Sequence, residues 1–247
     1  WNETVDDVGF IISLAQHLQD EYDFSEINTF STGMSNGGDF SYLLGCQASE
    51  YFRAIAPNAG IMMEWIFETC EPERPIPLLE IHGTNDNVSW WDGDIDNVDG
   101  WGSYVGVDEA IQLWKEINSC TGVIVDTLPD VYENDGSYVI TEKYLNGVNN
   151  NEVWLYKIIN GGHDWPGVWG NMDIHASEVI WEFFNQFSLD YQIGDVDYSG
   201  STDIIDLLIV SDQILTNSEY DFLSDLNNDG SLNINDLYAF IALMLGY

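Results

Sequence analysis

The chain has 247 residues, of which 45% are hydrophobic and 14% aromatic, so it holds enough apolar material to fold and is not a disordered acidic chain. Its 43 acidic and 5 basic residues give a formal net charge of −38, which excludes ordinary nucleic-acid binding and opposes attraction to anionic membranes. No apolar run is long enough to span a bilayer, so membrane insertion is not expected either.

The N-terminal part of the sequence predicts a nucleophile on a sharp turn. A helix is expected over residues 5–19, and a short strand with alternating apolar side chains over residues 27–32. The motif Gly-Met-Ser-Asn-Gly follows, and it places Ser35 between this strand and a helix that the spacing of residues 40–46 predicts. The first N–H groups of that helix would face a developing oxyanion, with the Asn36 N–H as the first candidate donor. The alternative is a glycine-rich helix cap with an ordinary serine.

The next strong strand signal precedes a candidate acid. Residues 77–83 form a mostly apolar run that ends in glycine, as a buried parallel strand does. Asp86 lies just past its carboxyl end, where open α/β sheets carry functional residues. Its carboxylate would orient a histidine and stabilise the imidazolium. The rival acids Asp92, Asp94 and Asp96 lie farther from the strand, in a loop rich in Trp and Gly.

A later strand precedes the candidate base. Residues 153–159 predict a strand, and Gly-Gly-His follows it directly, which makes His163 the expected general base. The other histidines are interpreted as structural or surface residues: His17 and His175 because they fall on predicted helices, and His82 because it packs beside the acid loop.

Serine, acid and histidine thus stand in the chain order of the α/β-hydrolases. Together with residues 5–11 and 54–60, the three motifs resemble the polyhydroxybutyrate-depolymerase and feruloyl-esterase group of secreted α/β-hydrolases (carbohydrate esterase family 1 type), from about residue 1 to 187. The resemblance implies an extracellular protein with a three-layer α/β sandwich. It also implies carboxylic-ester hydrolysis through an acyl-enzyme, with Ser35, Asp86 and His163 as the triad and no cofactor for catalysis. Polyester, feruloyl and acetyl esters all stay open as substrates.

The region before the nucleophile departs from this family. An α/β-hydrolase normally builds several strands before its serine, and the second oxyanion N–H comes from a loop after an early strand. Only one predicted helix and one predicted strand precede Ser35. We therefore expect the hydrolase domain to lack its N-terminal strands here, together with one oxyanion donor. Loss of one such donor typically costs about 100- to 1,000-fold in turnover.

The chain has three cysteines, so at least one is unpaired in a monomer. Cys46 and Cys70 flank the strand that follows the helix predicted after Ser35, and they are the predicted disulfide, with three buried thiols as the alternative. Cys120 resembles a family position whose partner would fall near residues 144–148, where this chain has no cysteine.

Tryptophans in predicted loops are candidates for substrate contact. Five of them are expected at the rim of the active site, where they could stack on sugars or an aromatic acid, with ordinary packing as the alternative: Trp90, Trp91, Trp101, Trp165 and Trp169. Three others fit helix or strand faces and are expected in the core: Trp114, Trp154 and Trp181.

Two twelve-residue segments near the C-terminus, residues 195–206 and 225–236, predict a pair of calcium loops. Each has oxygen-bearing side chains at positions 1, 3, 5, 9 and 12, a glycine at position 6 and a backbone carbonyl available at position 7, as a calcium loop requires. The alternative is two Asx-rich turns in an acidic tail. The predicted ligands are Asp195, Asp197, Ser199, Ser201, Asp203 and Asp206 in the first loop, and Asp225, Asn227, Asp229, Ser231, Asn233 and Asp236 in the second.

The duplicated loop-helix unit resembles a type I dockerin over residues 193–247, joined to the hydrolase domain by a linker at residues 188–192. The resemblance implies two bound Ca²⁺ ions, a small helical module and a cohesin partner. Many dockerins carry Ser or Thr at loop positions 10 and 11, whereas this chain has Ile204 and Ile205, then Ile234 and Asn235. An atypical cohesin, a calcium-locked tail and another kind of attachment therefore all stay open.

Together these features predict a secreted serine esterase that acts on feruloyl or acetyl esters of polysaccharide and carries a dockerin for attachment. A polyhydroxyalkanoate depolymerase is the alternative among enzymes. A non-catalytic, calcium-dependent binding or scaffold protein is the alternative from another class.

Overall fold

The computed structural model describes residues 5–22, 24–188, 194–197, 199, 201–216, 223–227 and 229–245. The chain divides into two compact units, Trp1–Ser188 and Leu189–Tyr247. Apart from Ser188, the predicted linker lies outside the described residues. Within the described ranges, no helix is both long and apolar enough to cross a membrane.

The first unit is built on a six-stranded sheet in the order β1-β2-β3-β6-β5-β4. The strands β1, β2, β3 and β6 run parallel, and β5 and β4 continue the sheet antiparallel. Every residue of β2 and β3 is buried, which is why both strands are almost continuously apolar in sequence. The strands are β1 (Phe30–Met34), β2 (Ala54–Asn58), β3 (Leu78–Gly83), β4 (Gly122–Thr127), β5 (Tyr138–Leu145) and β6 (Val153–Ile159).

Helices cover both faces of this sheet. One apolar core packs Tyr42, Ile66 and Trp114 from three helices against strand residues such as Leu78. The core on the other face packs a fourth helix, through residues such as Phe183, against the strand residues that point to that face. Successive strand residues enter opposite cores because strand side chains alternate between faces. The helices of this unit are α1 (Asp7–Tyr22), α2 (Asn36–Gln47), α3 (Glu64–Thr69), α4 (Val107–Ile117) and α5 (Ala176–Gln186).

Two predicted boundaries near the candidate nucleophile differ from the structure. β1 begins at Phe30, because the preceding residues form a turn in which the Ser25 hydroxyl accepts the Asn28 N–H. α2 begins at Asn36, directly after Ser35, and the Asp39 N–H donates to the Ser35 carbonyl in its first turn. Two glycines occupy that turn, so the spacing of apolar residues does not show where the helix begins.

The cysteines form one bridge. Cys46 on α2 and Cys70 just after α3 are joined by a disulfide, which confirms the predicted pair. Cys120 is a free, half-buried thiol.

The described residues of the second unit form two helices, α6 (Ile204–Thr216) and α7 (Ile234–Met244), each of which follows one of the predicted loops. A small apolar core joins them through Val196, Val210, Leu223 and Phe240. The two halves therefore share one core, as their sequence duplication suggests.

Candidate active site

Ser35 occupies a strained turn between β1 and α2. Its φ of 56° and ψ of −124° lie where residues other than glycine are rarely found, and such strain is concentrated at functional sites. The turn is possible only because Gly33 lacks a side chain, since a Cβ there would lie 2.6 Å from the Gly37 backbone. The Ser35 N–H donates to the Asn58 carbonyl at 3.0 Å, which ties the turn to the end of β2.

Asp86 and His163 are hydrogen bonded to each other. Asp86 follows β3 and is almost fully buried, and its Oδ2 lies 2.7 Å from His163 Nδ1. Its Oδ1 accepts the N–H groups of Val88 and Ser89, each at 2.8 Å. Burial acts to raise the pKa of Asp86, but the hydrogen bond with His163 and these N–H groups outweigh it and lower the pKa. An ionised Asp86 accepts a hydrogen bond from the Nδ1–H of His163, which leaves Nε2 unprotonated and available as a base.

Backbone contacts join the acid loop, which follows β3 and carries Asp86, to the histidine loop, which follows β6 and carries His163. The Asn85 N–H donates to the Gly161 carbonyl at 2.8 Å, and the Thr84 N–H donates to the Ile158 carbonyl at 2.9 Å. A Cβ at Gly83 would lie 2.4 Å from the Gly161 and Gly162 carbonyl oxygens, so only glycine permits this approach. This close approach explains why a glycine follows His82.

The three predicted catalytic residues lie at the same edge of the sheet, the one formed by the carboxyl ends of its parallel strands, because each follows one of those strands. Asn58 connects the loops: its carbonyl accepts the Ser35 N–H, and its Nδ2 donates to the Asp164 carbonyl at 2.8 Å. Within the described residues, no hydrogen bond joins the Ser35 hydroxyl to His163. In free enzymes such contacts are often long and tighten when substrate binds.

A cavity of about 390 Å³ adjoins Ser35. Asn36 lies in its wall and begins α2, so its N–H has no partner within the helix and is available to an oxyanion. The described residues that line the cavity are Ser35, Asn36, Asp39, Ile61, Met63, Val88, Ser89 and Trp101.

The predicted rim tryptophans lie in different places. Trp101 lines the cavity beside Ser35, whereas Trp90 and Trp91 pack against the core that contains α4, and Trp165 packs against the core that contains α5. Substrate contact by Trp90, Trp91 and Trp165 stays a prediction. Trp114 and Trp154 are buried as expected, but the prediction for Trp181 is wrong, because its side chain is 68% exposed on the outer face of α5.

Asp39 is a cavity residue that the sequence reasoning missed. Its Oδ1 accepts the Ile61 N–H at 2.7 Å. Burial raises the pKa of Asp39 to about 7, although that N–H opposes the shift. The available signal was an acidic residue in the first turn of a helix that follows a nucleophile turn.

The loops of the second unit repeat one hydrogen-bond pattern. The Ser199 N–H donates to the Asp195 and Asp197 carboxylates, and at the equivalent position the Asp229 N–H donates to Asp225 and Asn227. Their last residues, Asp206 and Asp236, are buried and accept backbone N–H groups within their own loops.

Three carboxylates of the first loop converge. One oxygen each from Asp195, Asp197 and Asp206 lies within 4.8 Å of the others, as ligands of one cation do. Asp203 and Asn233, by contrast, cap their helices by accepting the N–H two residues later. Ser201 accepts the Ser199 hydroxyl through its carbonyl, and Ser231 accepts the Asn233 amide in the same way.

Known proteins similar to this chain include feruloyl esterases. Feruloyl esterase B of Piromyces equi is 29% identical over 189 residues, which cover 74% of this chain and 32% of that protein. Feruloyl esterase C of Emericella nidulans is 34% identical over 186 residues, which cover 74% of this chain and 59% of that protein. The chain thus spans three-fifths or less of each of these relatives.

The solved structures that resemble this chain are more distant in sequence. An acetyl xylan esterase structure from Aspergillus awamori is 12% identical, with a TM-score of 0.45, over 73% of this chain and 67% of that one. No family model matches the chain.

Proposed function

We propose that this chain carries the nucleophile, acid and base of a serine carboxylic-ester hydrolase. The observation that carries the proposal is the 2.7 Å hydrogen bond between Asp86 and His163 at the sheet edge where Ser35 occupies its strained turn. A buried carboxylate, an imidazole and a serine hydroxyl on a strained turn form the general-base system of acyl transfer. The similarity to two feruloyl esterases supports the same chemistry.

In this mechanism His163 Nε2 takes the Ser35 hydroxyl proton as Oγ attacks the ester carbonyl. The Asn36 N–H donates to the oxyanion, and Asp86 stabilises the imidazolium through Nδ1. His163 then gives its proton to the departing alcohol, which leaves an acyl-enzyme on Ser35. Water that His163 deprotonates releases the acid and restores the hydroxyl.

The proposed substrates are feruloyl or acetyl esters of polysaccharide. The names of the relatives favour a feruloyl group, and the cavity beside Ser35 offers Ile61, Met63 and Trp101 as an apolar wall for an aromatic acid. Polyhydroxyalkanoate remains the alternative substrate. Rates with methyl ferulate, acetylated xylan and a 3-hydroxybutyrate oligomer distinguish the three.

The test of this function is ester hydrolysis by the Ser35→Ala variant. We expect turnover of methyl ferulate to fall by about 10⁴-fold or more, because the nucleophile is lost. The matched control, Ser13→Ala on the exposed side of α1, should retain the wild-type rate. Equal rates for wild type and Ser35→Ala would contradict the proposal.

For the second unit we propose a dockerin-like module that binds two Ca²⁺ ions. The donors fit this ion, because both loops present hard oxygen ligands, and three carboxylates of the first loop converge. Bound calcium would offset the mutual repulsion of these carboxylates and fix the loops against their helices. It would have no part in ester hydrolysis.

A cohesin-type partner is proposed for this module. Apolar side chains exposed on its helices, among them Leu208, Leu215 and Tyr238, could form a partner surface. If the module binds a cohesin only with calcium present while ester hydrolysis is absent, the chain is instead a calcium-dependent binding or scaffold protein.

We further propose that the protein acts outside the cell. The disulfide between Cys46 and Cys70 supports this location, because such bonds persist in oxidising compartments.

A further inference from the structure

A second acid–histidine pair lies buried behind Asp86. Glu80 and His82 belong to β3 and point to the same face because they are two residues apart. Glu80 Oε1 lies 2.9 Å from His82 Nδ1, and Oε2 accepts the Tyr42 hydroxyl at 3.0 Å. All three side chains are almost completely buried. The proposed ester chemistry does not use any of them directly.

The other nitrogen of His82 reaches the acid loop. His82 Nε2 lies 2.8 Å from the Ser89 carbonyl and 3.6 Å from Asp86 Oδ2. A carbonyl oxygen only accepts, so Nε2 carries the proton in this contact. The Ser89 N–H in turn donates to Asp86 Oδ1. Ser89 is thereby held at its carbonyl by His82 and at its N–H by Asp86.

We propose that Glu80 and His82 position Asp86 against His163. This inference rests on the proposed function, because Asp86 is the acid of the proposed triad. The pair fixes the Ser89 carbonyl and presents a polarised N–H to Asp86, so that the carboxylate keeps the orientation that His163 requires. His82 is thus a positioning residue in a chain of contacts from Tyr42 to His163.

The pair shares one proton between Glu80 Oε1 and His82 Nδ1, because these atoms are within hydrogen-bond distance while Nε2 already donates to Ser89. Burial raises the pKa of Glu80 to about 7, although the contacts with His82 and Tyr42 oppose the shift. Burial acts to lower the pKa of His82, but Glu80 reverses this and raises it. The proton lies on His82 when Glu80 is ionised and on Glu80 when it is neutral. Nε2 donates to Ser89 in both forms.

Other titratable and charged groups surround the pair. Asp39 lies beside Tyr42 on α2 and acts on both members through its charge. Tyr104, which accepts the Trp90 N–H, faces Asp86 from the loop before α4. Lys157 on β6 lies 4.7 Å above the ring of Trp91, whose neighbour is the His82 imidazole, and it forms ion pairs with Asp108 and Glu142.

Replacing Glu80 separates charge from geometry. In Glu80→Gln the amide still donates to His82 Nδ1 and accepts the Tyr42 hydroxyl, so the contact with Ser89 is kept. The ionised Glu80 that stabilises the imidazolium form of His82 is then absent, so this form is no longer populated and its positive charge near Asp86 is lost. The electrostatic potential at His163 becomes more negative. The acid limb, which is the low-pH side of the plot of kcat/KM against pH, therefore moves to higher pH. A packing role for the pair predicts no such movement.

Replacing His82 removes the contact itself. In His82→Phe an aromatic ring is kept, but the Ser89 carbonyl and Glu80 Oε1 lose their contacts with His82. We expect kcat to fall by about tenfold or more with little change in KM, as typically follows loss of an orienting partner. His82→Gln can place an amide donor near the Ser89 carbonyl and should recover part of the loss.

The experiment measures two properties of wild type, Glu80→Gln, His82→Gln and His82→Phe. The first is the pH profile of kcat and KM for p-nitrophenyl acetate. The second is the downfield ¹H NMR signal of the His163 Nδ1 proton, assigned by its loss in His163→Ala, which reports the Asp86 contact without turnover. We expect the signal to be retained in Glu80→Gln, weakened in His82→Phe and partly recovered in His82→Gln.

Two results would overturn the positioning role. One is an unchanged His163 signal in folded His82→Phe. The other is a loss of activity in all variants that follows their melting temperatures, with no movement of the acid limb. If His82→Phe does not fold, Glu80→Gln and His82→Gln still test the role through the acid limb and the His163 signal. If the wild-type protein hydrolyses no ester but the His163 signal changes as expected in the variants, the ester chemistry is rejected and the positioning role of His82 is kept.

Discussion

At the residue scale, the contacts at the sheet edge depend on a few buried polar side chains. Asn58 joins the nucleophile turn to the histidine loop, and it could not be recognised from sequence because it ends an ordinary apolar strand. The candidate serine, acid and histidine could be predicted because each carries a glycine signature that its turn requires. Asp39 was missed as a cavity residue, since the side of a buried helix that lines a cavity follows from tertiary packing.

Replacement of Asn58 tests this link between the loops. In Asn58→Leu the Asp164 carbonyl loses its buried donor, which should cost about 1–3 kcal/mol of stability and slow ester hydrolysis. Asn185→Leu, on the exposed face of α5, should leave the rate unchanged. Thermal unfolding and methyl ferulate kinetics measure both effects, and wild-type rates in folded Asn58→Leu would contradict this role.

The carboxyl of Asp39 predicts a pH-dependent stability. Burial raises its pKa to about 7, so the native state binds a proton that the unfolded state releases above its ordinary pKa near 3.8. Stability from this group is therefore full at low pH and is lost as pH rises toward 7. Asp39→Asn keeps an acceptor for the Ile61 N–H and should raise the melting temperature more at pH 8 than at pH 5. An equal change at both pH values would contradict the assignment.

At the element scale, the buried parallel strands were the most predictable part of the fold. β6 has its predicted bounds, and β3 differs by one residue, because burial on both faces requires a continuous apolar run. Trp181 was misplaced although the spacing of Ile180, Phe183 and Phe184 already fills the inner face of α5. Helical periodicity would have placed that tryptophan outside.

The nucleophile turn between β1 and α2 provides a matched pair of glycine variants. A Cβ at Gly33 would lie 2.6 Å from the Gly37 backbone, whereas a Cβ at Gly37 has no atom within 4 Å. Gly33→Ala should therefore displace Ser35 and lower both activity and melting temperature. Gly37→Ala should keep or raise stability, since alanine favours a helix. Equal melting temperatures for the two variants would contradict the role of the close approach.

At the scale of the whole molecule, charge is the dominant feature. A formal net charge of −38 makes self-repulsion a general destabilising term, which salt weakens. Two calcium ions would neutralise only four of these charges. Salt and calcium should therefore act on stability separately. The division into two units was foreseeable from the duplicated loops, but the partner of the second unit was not, because recognition depends on an interface that the chain alone does not contain.

A charge-matched pair of variants separates these effects. Asp197→Asn removes a converging carboxylate of the first loop, whereas Asp212→Asn removes the same charge from the exposed side of α6. We expect calcium to raise the melting temperature of wild type and Asp212→Asn, and to act more weakly on Asp197→Asn. Sodium chloride should stabilise all three. Equal calcium responses in the two variants would contradict the proposed ligand set.

Ser35 as the nucleophile is tested by the rate at which a fluorophosphonate probe labels the protein, followed by peptide mass mapping. We expect one adduct, on Ser35, that is absent in Ser35→Ala and forms much more slowly in His163→Ala and Asp86→Asn. Absence of an adduct on the wild-type protein, or an adduct that persists in Ser35→Ala, would contradict the assignment of Ser35 as the nucleophile.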